Sequence, residues 1–132
     1  MIGVDTNVLV RYFVSDDREQ FRQAEDFMTR SMNRRIQLYV DDVVLCELVW
    51  VLRSSYKLKR AEIAAIVEDV LKRNQFSFDD VGLLLTALDD YVAGRGDLAD
   101  YVIGRRYERA GCEATATFDR ALRDDVNFRL LS

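Results

Sequence analysis

Two acidic residues follow apolar runs that have the character of buried strands. Asp5 ends the run at residues 2–5, and Asp119 comes directly after the run at residues 114–118. Ligands of a parallel sheet bind beyond the carboxyl ends of its strands, so both carboxylates are expected to project toward the same rim. Each also has a plain structural interpretation, Asp5 in an Asx turn and Asp119 as a turn residue or cap.

Asp97 and Asp100 form a second pair, three residues apart, after a Gly-Arg-Gly turn at residues 94–96. That spacing predicts that they share one face in the first turn of a helix, where a carboxylate also interacts favourably with the helix dipole. Asp97 alone is equally well explained as the N-cap of that helix. The pair adds two carboxylates to those predicted at the rim.

Glu47 is the only polar residue of the run VVLCELVWVL at residues 43–52. A helix that is apolar almost all the way round is expected to be buried. A buried carboxylate without a partner is destabilising, because its desolvation is not compensated. We therefore expect Glu47 to face a wet cleft, to take up a proton, or to pair with an arginine.

The carboxylates of Asp5, Glu47, Asp97, Asp100 and Asp119 would repel one another at a shared rim, which indicates a bound cation. Oxygen ligands without histidine or thiolate select hard ions, so Mg²⁺ or Mn²⁺ is expected rather than zinc. The formal net charge is −4, and setting these five acids aside leaves 18 acids against 19 bases. The negative charge of the chain therefore belongs to the predicted site.

Arginine makes up 16 of the 19 basic residues. The arginines in the same C-terminal third as three of the acids include Arg95, Arg105, Arg106, Arg109, Arg120 and Arg123. Guanidinium groups match phosphate oxygens bidentately. An acidic metal pocket rimmed by arginine is expected for cutting a phosphodiester, and compositional bias or a solvated helix face is the alternative.

Residue types that are absent or isolated exclude other chemistry. The chain has no histidine, which rules out Ser-His-Asp and Cys-His relays, paired-histidine ribonucleases and His-ligated zinc. Cys46 and Cys112 show no CxxC spacing, so no redox or metal-thiolate role is expected and a reduced, cytoplasmic setting fits. No signal peptide or membrane-spanning run is recognised, so the protein is expected to be neither exported nor membrane-bound.

The elements that must position the acids alternate between strands and helices. Strands are predicted at residues 2–5, 36–40, 76–78, 114–118 and 128–131. Helices are predicted at residues 8–14, after Asp16 or Asp17, after Asp41 or Asp42, at residues 59–73, after Asp79 or Asp80, and at residues 97–110 with Gly111 at the C-cap. The alternation predicts an α/β fold, a three-layer α/β/α sandwich around a mostly parallel central sheet.

Four segments, in order along the chain, resemble the successive motifs of PIN-domain nucleases. They are VDTNVL at residues 4–9, ELVWVL at 47–52, DLADYVI at 97–103 and TFDR at 117–120. Within that family the resemblance is strongest to the VapC toxins of bacterial and archaeal toxin-antitoxin pairs. It implies a single PIN-like nuclease domain over residues 1–132, with the activity of an Mg²⁺- or Mn²⁺-dependent endoribonuclease.

The resemblance also implies roles for individual residues. Asp5, Glu47, Asp100 and Asp119 match the acidic quartet of the family, and Asp97 matches an additional acid of one branch. Asp5 and Asp100 are expected to hold the ion. Water rather than the RNA 2′-hydroxyl would attack phosphorus, which leaves 5′-phosphate and 3′-hydroxyl ends.

Polar residues beside the acids match supporting positions of the family. Thr6 and Asn7 match positions that orient the first aspartate, and Thr117 lies beside the last acid, where it would hold that side chain in place. Asp41 and Asp42 depart from the small or polar residues that relatives often carry there. They either alter the rim of the pocket or cap a helix.

The family further implies a homodimer and a small VapB-like antitoxin, with RNA as the substrate and no membrane partner. A segment of the antitoxin would pack on apolar helical surface, and a basic side chain would enter the acidic pocket. Candidates for that surface are Phe21, Phe27, Trp50, Leu52 and Tyr56, although a core position is the commoner explanation of such residues.

Two alternatives keep the fold: a PIN-like module that binds RNA or protein without cleaving, and a PIN nuclease of RNA maturation outside any toxin pair. Two other small α/β classes fit less well. A phosphotransfer receiver domain requires a late lysine, whereas the lysines are Lys57, Lys59 and Lys72. A haloacid-dehalogenase-type phosphatase requires a second aspartate where Asn7 stands.

Overall fold

The computed structural model describes all 132 residues, which divide into two compact units, Met1–Val81 and Gly82–Ser132. The chain contains six α-helices, one short 3₁₀ helix and five strands, and every strand pair is parallel. The predicted α/β class with parallel strands is therefore confirmed. None of the helices has both the length and the apolar character that crossing a membrane requires.

The first unit contains a three-stranded parallel sheet and four helices. Its elements are β1 (Ile2–Gly3), α1 (Thr6–Phe13), α2 (Arg18–Asn33), β2 (Leu38–Tyr39), α3 (Asp42–Ser54), α4 (Arg60–Lys72) and β3 (Phe76–Ser77). The strand order is β1-β2-β3, with Leu38 of the central strand opposite both Ile2 and Phe76. A pair of helices links each strand to the next, which is the connection that parallel strands require.

Aspartates begin three of the helices in this unit. Asp5 caps α1, which starts two residues earlier than predicted because the cap comes directly after the strand. Asp17, rather than Asp16, caps α2 by accepting a hydrogen bond from the Gln20 backbone N–H at 3.0 Å. Asp41 caps α3 in the same way, with Val43 N–H at 2.9 Å. The departure from the family at residues 41–42 therefore includes a helix cap.

The expectation that α3 is buried all the way round is wrong. Leu45, Leu48 and Leu52 are buried, and α3 packs on α1 and α4. Val43 and Trp50, seven residues apart on the same side, are 62% and 58% exposed. An apolar run identifies the helix, but the number of neighbouring elements decides how much of its circumference is covered.

The second unit contains two helices, a two-stranded parallel sheet and a 3₁₀ turn. Its elements are α5 (Val81–Ala93), α6 (Leu98–Arg109), β4 (Thr115–Thr117), the 3₁₀ helix Arg120–Leu122 and β5 (Phe128–Leu130). Thr115 lies opposite Phe128 in the sheet, and Thr117 lies opposite Leu130. Gly111 has a φ of +98°, the left-handed conformation predicted after the last turn of α6.

Two polar interactions hold α5, the following turn and α6 together. Arg105 donates two hydrogen bonds to Asp90, Nε to Oδ2 at 2.7 Å and a terminal nitrogen to Oδ1 at 2.8 Å. These bonds raise the pKa of the Arg105 guanidinium above its ordinary value. In the turn, Gly96 N–H donates to the hydroxyl of Tyr101, a side chain that is almost completely buried.

Gly94 is predicted to tolerate no side chain. A Cβ at this position would collide with the Tyr101 hydroxyl. Because Tyr101 is buried and cannot move aside freely, Gly94→Ala should lower the free energy of unfolding by about 1–3 kcal/mol in urea denaturation. Gly3→Ala is the matched control, since nothing lies within 4 Å of the added atom, and its stability should stay near that of wild type. Equal stability of the two variants would contradict the packing described for the turn.

Candidate active site

Asp5 lies at the carboxyl end of β1 and begins α1. Its Oδ1 accepts a hydrogen bond from the Thr6 backbone N–H at 2.7 Å, and the residue is exposed. The bond that orients Asp5 thus comes from Thr6, one of the two predicted supporting residues, through the backbone. The Thr6 hydroxyl is buried and has no hydrogen-bond partner, and Asn7 is exposed in the first turn of α1.

Asp97 and Asp100 come together at the start of α6, as predicted. They form a capping box, in which the Asp97 N–H donates to Asp100 Oδ2 at 2.9 Å. Both side chains are half-buried. The alternative interpretation of Asp97 as the N-cap is also correct, so a structural role and a place beside Asp100 coexist in one residue.

Asp119 lies at the carboxyl end of β4 and begins the 3₁₀ helix. Its Oδ1 accepts from the Ala121 N–H at 2.9 Å, and its own N–H donates to Thr117 Oγ1 at 3.0 Å. Thr117 therefore holds the backbone of the last acid, the position expected of a supporting residue. Asp119 itself is exposed.

Glu47 is exposed on α3, and the expectation of a buried carboxylate is wrong. Glu47 lies on the uncovered side of the helix with Val43 and Trp50, at spacings of four and three residues. No arginine of the first unit forms a salt bridge with it, so the ion-pair alternative has no support there. Its carboxylate meets water, so the cost of burying an unpaired charge does not arise.

Three of the acids accept the same kind of hydrogen bond. Asp5, Asp100 and Asp119 each have one carboxylate oxygen held by a backbone N–H of a helix start. Such a bond restrains the orientation of the carboxylate. Oxygen donors fixed in this way suit a hard divalent cation. Neither unit by itself gathers three acidic or thiol side chains into a metal-binding group.

A cavity of about 500 Å³ opens beside Asp5 in the first unit. Asn7 and Val8 of α1 line one side, and Gln20, Gln23 and Phe27 of α2 line the other. The volume is within the range of small-ligand sites, and the walls combine apolar surface with amide groups. The sequence carries no signal for this cavity, because the packing angle of two amphipathic helices is not encoded in either helix alone.

Phe118, between Thr117 and Asp119, is the second feature that sequence analysis missed. The apolar run at residues 114–118 indicated a buried strand end, yet the Phe118 side chain is 78% exposed. Arg120 and Arg123, two of the arginines predicted to lie near the acids, follow it and are exposed too. Exposure alternates along β4, where Ala116 is exposed and Thr117 is half-buried, and the same alternation places the next residue, Phe118, on the exposed side.

Two comparisons with known proteins match most of the chain. A VapC ribonuclease of Aquifex aeolicus (strain VF5) is 26% identical over 117 residues, which cover 89% of this chain and 86% of the relative. No solved structure matches the chain significantly. The family model of the PIN domain matches residues 2–125, from β1 to the turn that precedes β5. That span contains all five acids and their supporting residues, and the chain belongs to the PIN domain family.

Proposed function

We propose that this protein is a divalent-metal-dependent endoribonuclease, the toxin of a VapBC-type toxin-antitoxin pair. The observation that carries the proposal is the backbone anchoring of Asp5, Asp100 and Asp119, three carboxylates within a PIN-domain match that covers residues 2–125. The likeness to a VapC ribonuclease supports RNA as the substrate. A PIN-like module that binds without cleaving has no observation in its favour, because no acid of the predicted set is missing.

Asp5 and Asp100 would hold the cation, Mg²⁺ or Mn²⁺, with Asp97, Asp119 and Glu47 acting directly or through water. When bound, the cation supplies positive charge that activates a water molecule and stabilises the negative charge developing at phosphorus. The backbone N–H groups keep the aspartates oriented before substrate arrives, which avoids reorganisation during the reaction. Glu47 has no such anchor, and as an exposed carboxylate it can accept the proton of the attacking water.

We also propose that residues 1–132 act as one cytoplasmic nuclease domain, as a homodimer and with a small antitoxin. The uncovered side of α3 supports a protein partner, because Val43 and Trp50 leave large apolar side chains in water. Leu52, a predicted contact for the antitoxin, is fully buried and belongs to the core instead. The free thiols Cys46 and Cys112 fit a reducing compartment.

Millimolar Mg²⁺ or Mn²⁺ should raise the unfolding temperature of the wild type more than that of Asp5→Asn. Asparagine still accepts the Thr6 N–H bond, so the variant loses the charge and keeps the cap. The expected wild-type shift is about 4 °C when the ion is at about ten times its dissociation constant. Asp89→Asn, an exposed acid of α5, is the control and should respond like wild type in differential scanning fluorimetry. Equal shifts in wild type and Asp5→Asn would contradict a metal site at Asp5.

Glu47→Gln should lower the rate of RNA cleavage by about 10²-fold or more, the usual contribution of a group that transfers a proton. Because Glu47 is exposed, the unfolding free energy should change by less than about 0.5 kcal/mol. Glu25→Gln, an exposed glutamate of α2, should leave both quantities unchanged. A Glu47→Gln protein that cleaves RNA at the wild-type rate would remove Glu47 from the proposed mechanism.

Cleavage should leave 5′-phosphate and 3′-hydroxyl ends. The proposed nucleophile is water, so an oligonucleotide with a 2′-deoxyribose at the cut position should still be cleaved. Ligation-based sequencing of the fragments reports the ends directly. Fragments that carry 2′,3′-cyclic phosphates, together with full resistance of the deoxy substrate, would show that the 2′-hydroxyl attacks instead.

A further inference from the structure

Phe118 leaves an aromatic ring in water beside an acid of the candidate site. The side chain is 78% exposed and stands between Thr117 and Asp119. Phenylalanine is among the residues most often buried, and a turn between a strand and a 3₁₀ helix places no apolar requirement on this position. The ring is therefore accessible to a bound ligand.

The backbone on both sides of the ring is fixed. The Thr117 carbonyl accepts from Leu131 N–H at 2.7 Å, and Asp119 N–H donates to Thr117 Oγ1 at 3.0 Å. Asp119 is held in turn through its Oδ1 by the Ala121 N–H. The exposure of Phe118 thus belongs to a hydrogen-bonded turn, in which the residue directly precedes Asp119.

Arg120 and Arg123 follow the ring within five residues, interspersed with aspartates. Arg120 is exposed and forms no ion pair within the second unit. Arg123 approaches Asp124 only at 4.0 Å, with both side chains largely in water, so this pair neutralises little of its charge. An exposed aromatic ring beside guanidinium groups is the combination with which proteins bind single-stranded nucleic acid, by base stacking and by attraction to phosphate.

We propose that Phe118 stacks on an unpaired nucleobase of the RNA substrate, next to the phosphodiester that is cut, while Arg120 contacts the RNA backbone. This inference rests on the proposed endoribonuclease function and adds a binding residue to it. Stacking on a phenyl ring tolerates any base, so Phe118 would demand a single-stranded segment rather than a particular sequence. The exposed guanidinium of Arg120 favours RNA over an apolar protein partner, because an apolar surface docked there would leave this charge without a phosphate or carboxylate to contact.

The test is a kinetic comparison of Phe118→Ala, Phe118→Tyr and wild type on a single-stranded RNA oligonucleotide. Phe118→Ala should raise KM on the order of 10-fold, while kcat changes much less, and Phe118→Tyr should restore the wild-type KM. Val126→Ala is the matched control, since Val126 is 93% exposed and apolar but not aromatic, and its KM should not change. Because both positions are exposed, neither substitution should change the stability of the fold much, so a change in KM reports on RNA binding.

A second arm removes the base instead of the ring. In wild type, an abasic position beside the cut bond should raise KM by the same factor as Phe118→Ala, and combining the two should add little further. Binding of labelled oligonucleotide in EDTA, measured by fluorescence anisotropy, should follow the same order without requiring cleavage.

The outcomes separate this inference from the function on which it rests. If wild type cleaves RNA and Phe118→Ala has an unchanged KM and anisotropy, the stacking role is wrong and the proposed nuclease function is retained. If Phe118→Ala instead alters the oligomeric state in light scattering at unchanged KM, the ring is a protein contact and the inference also fails. If wild type neither binds nor cleaves any single-stranded RNA, both the inference and the proposed function are wrong.

Discussion

The unpaired N–H groups at the start of a helix are the constraint on which the candidate site depends. Every helix begins with donors that have no partner within the helix, and a short acidic side chain satisfies one of them. In this chain Asp5, Asp100 and Asp119 each supply that acceptor. The acids proposed to bind the ion therefore also accept a backbone hydrogen bond at the start of a helix, so folding and the proposed chemistry use the same side chains.

The placement of these aspartates at helix starts could be predicted from the sequence, whereas their role in a metal site stays a prediction. An acid that follows an apolar strand and precedes a helix has a strong local signal, whether it is considered as a cap or as a ligand. The boundaries of α6, the turn at Gly111 and the pairing of Thr117 with Asp119 follow from the same local rules. The interpretation of Asp97 as an N-cap is confirmed, and its role in the site stays a prediction.

The predictions that are wrong or missing concern properties that depend on neighbours distant in sequence. The composition of α3 predicted burial on all sides, yet the elements that pack on it cover only part of its surface, so Glu47 and Trp50 are exposed. The strand at residues 114–118 was expected to bury its last residue, but the next residues turn into a 3₁₀ helix and leave Phe118 outside. The cavity beside Asp5 likewise depends on how α1 and α2 cross.

Trp50 is the only tryptophan of the chain and lies outside the core, with 58% of its surface in contact with water. An indole that is already solvated in the native state changes its surroundings little when the chain unfolds. Intrinsic emission is thus a poor monitor of denaturation for this protein, and circular dichroism at helical wavelengths is the suitable one. The same indole becomes a built-in optical sensor of anything that covers α3, because a docked partner would shift its spectrum to the blue.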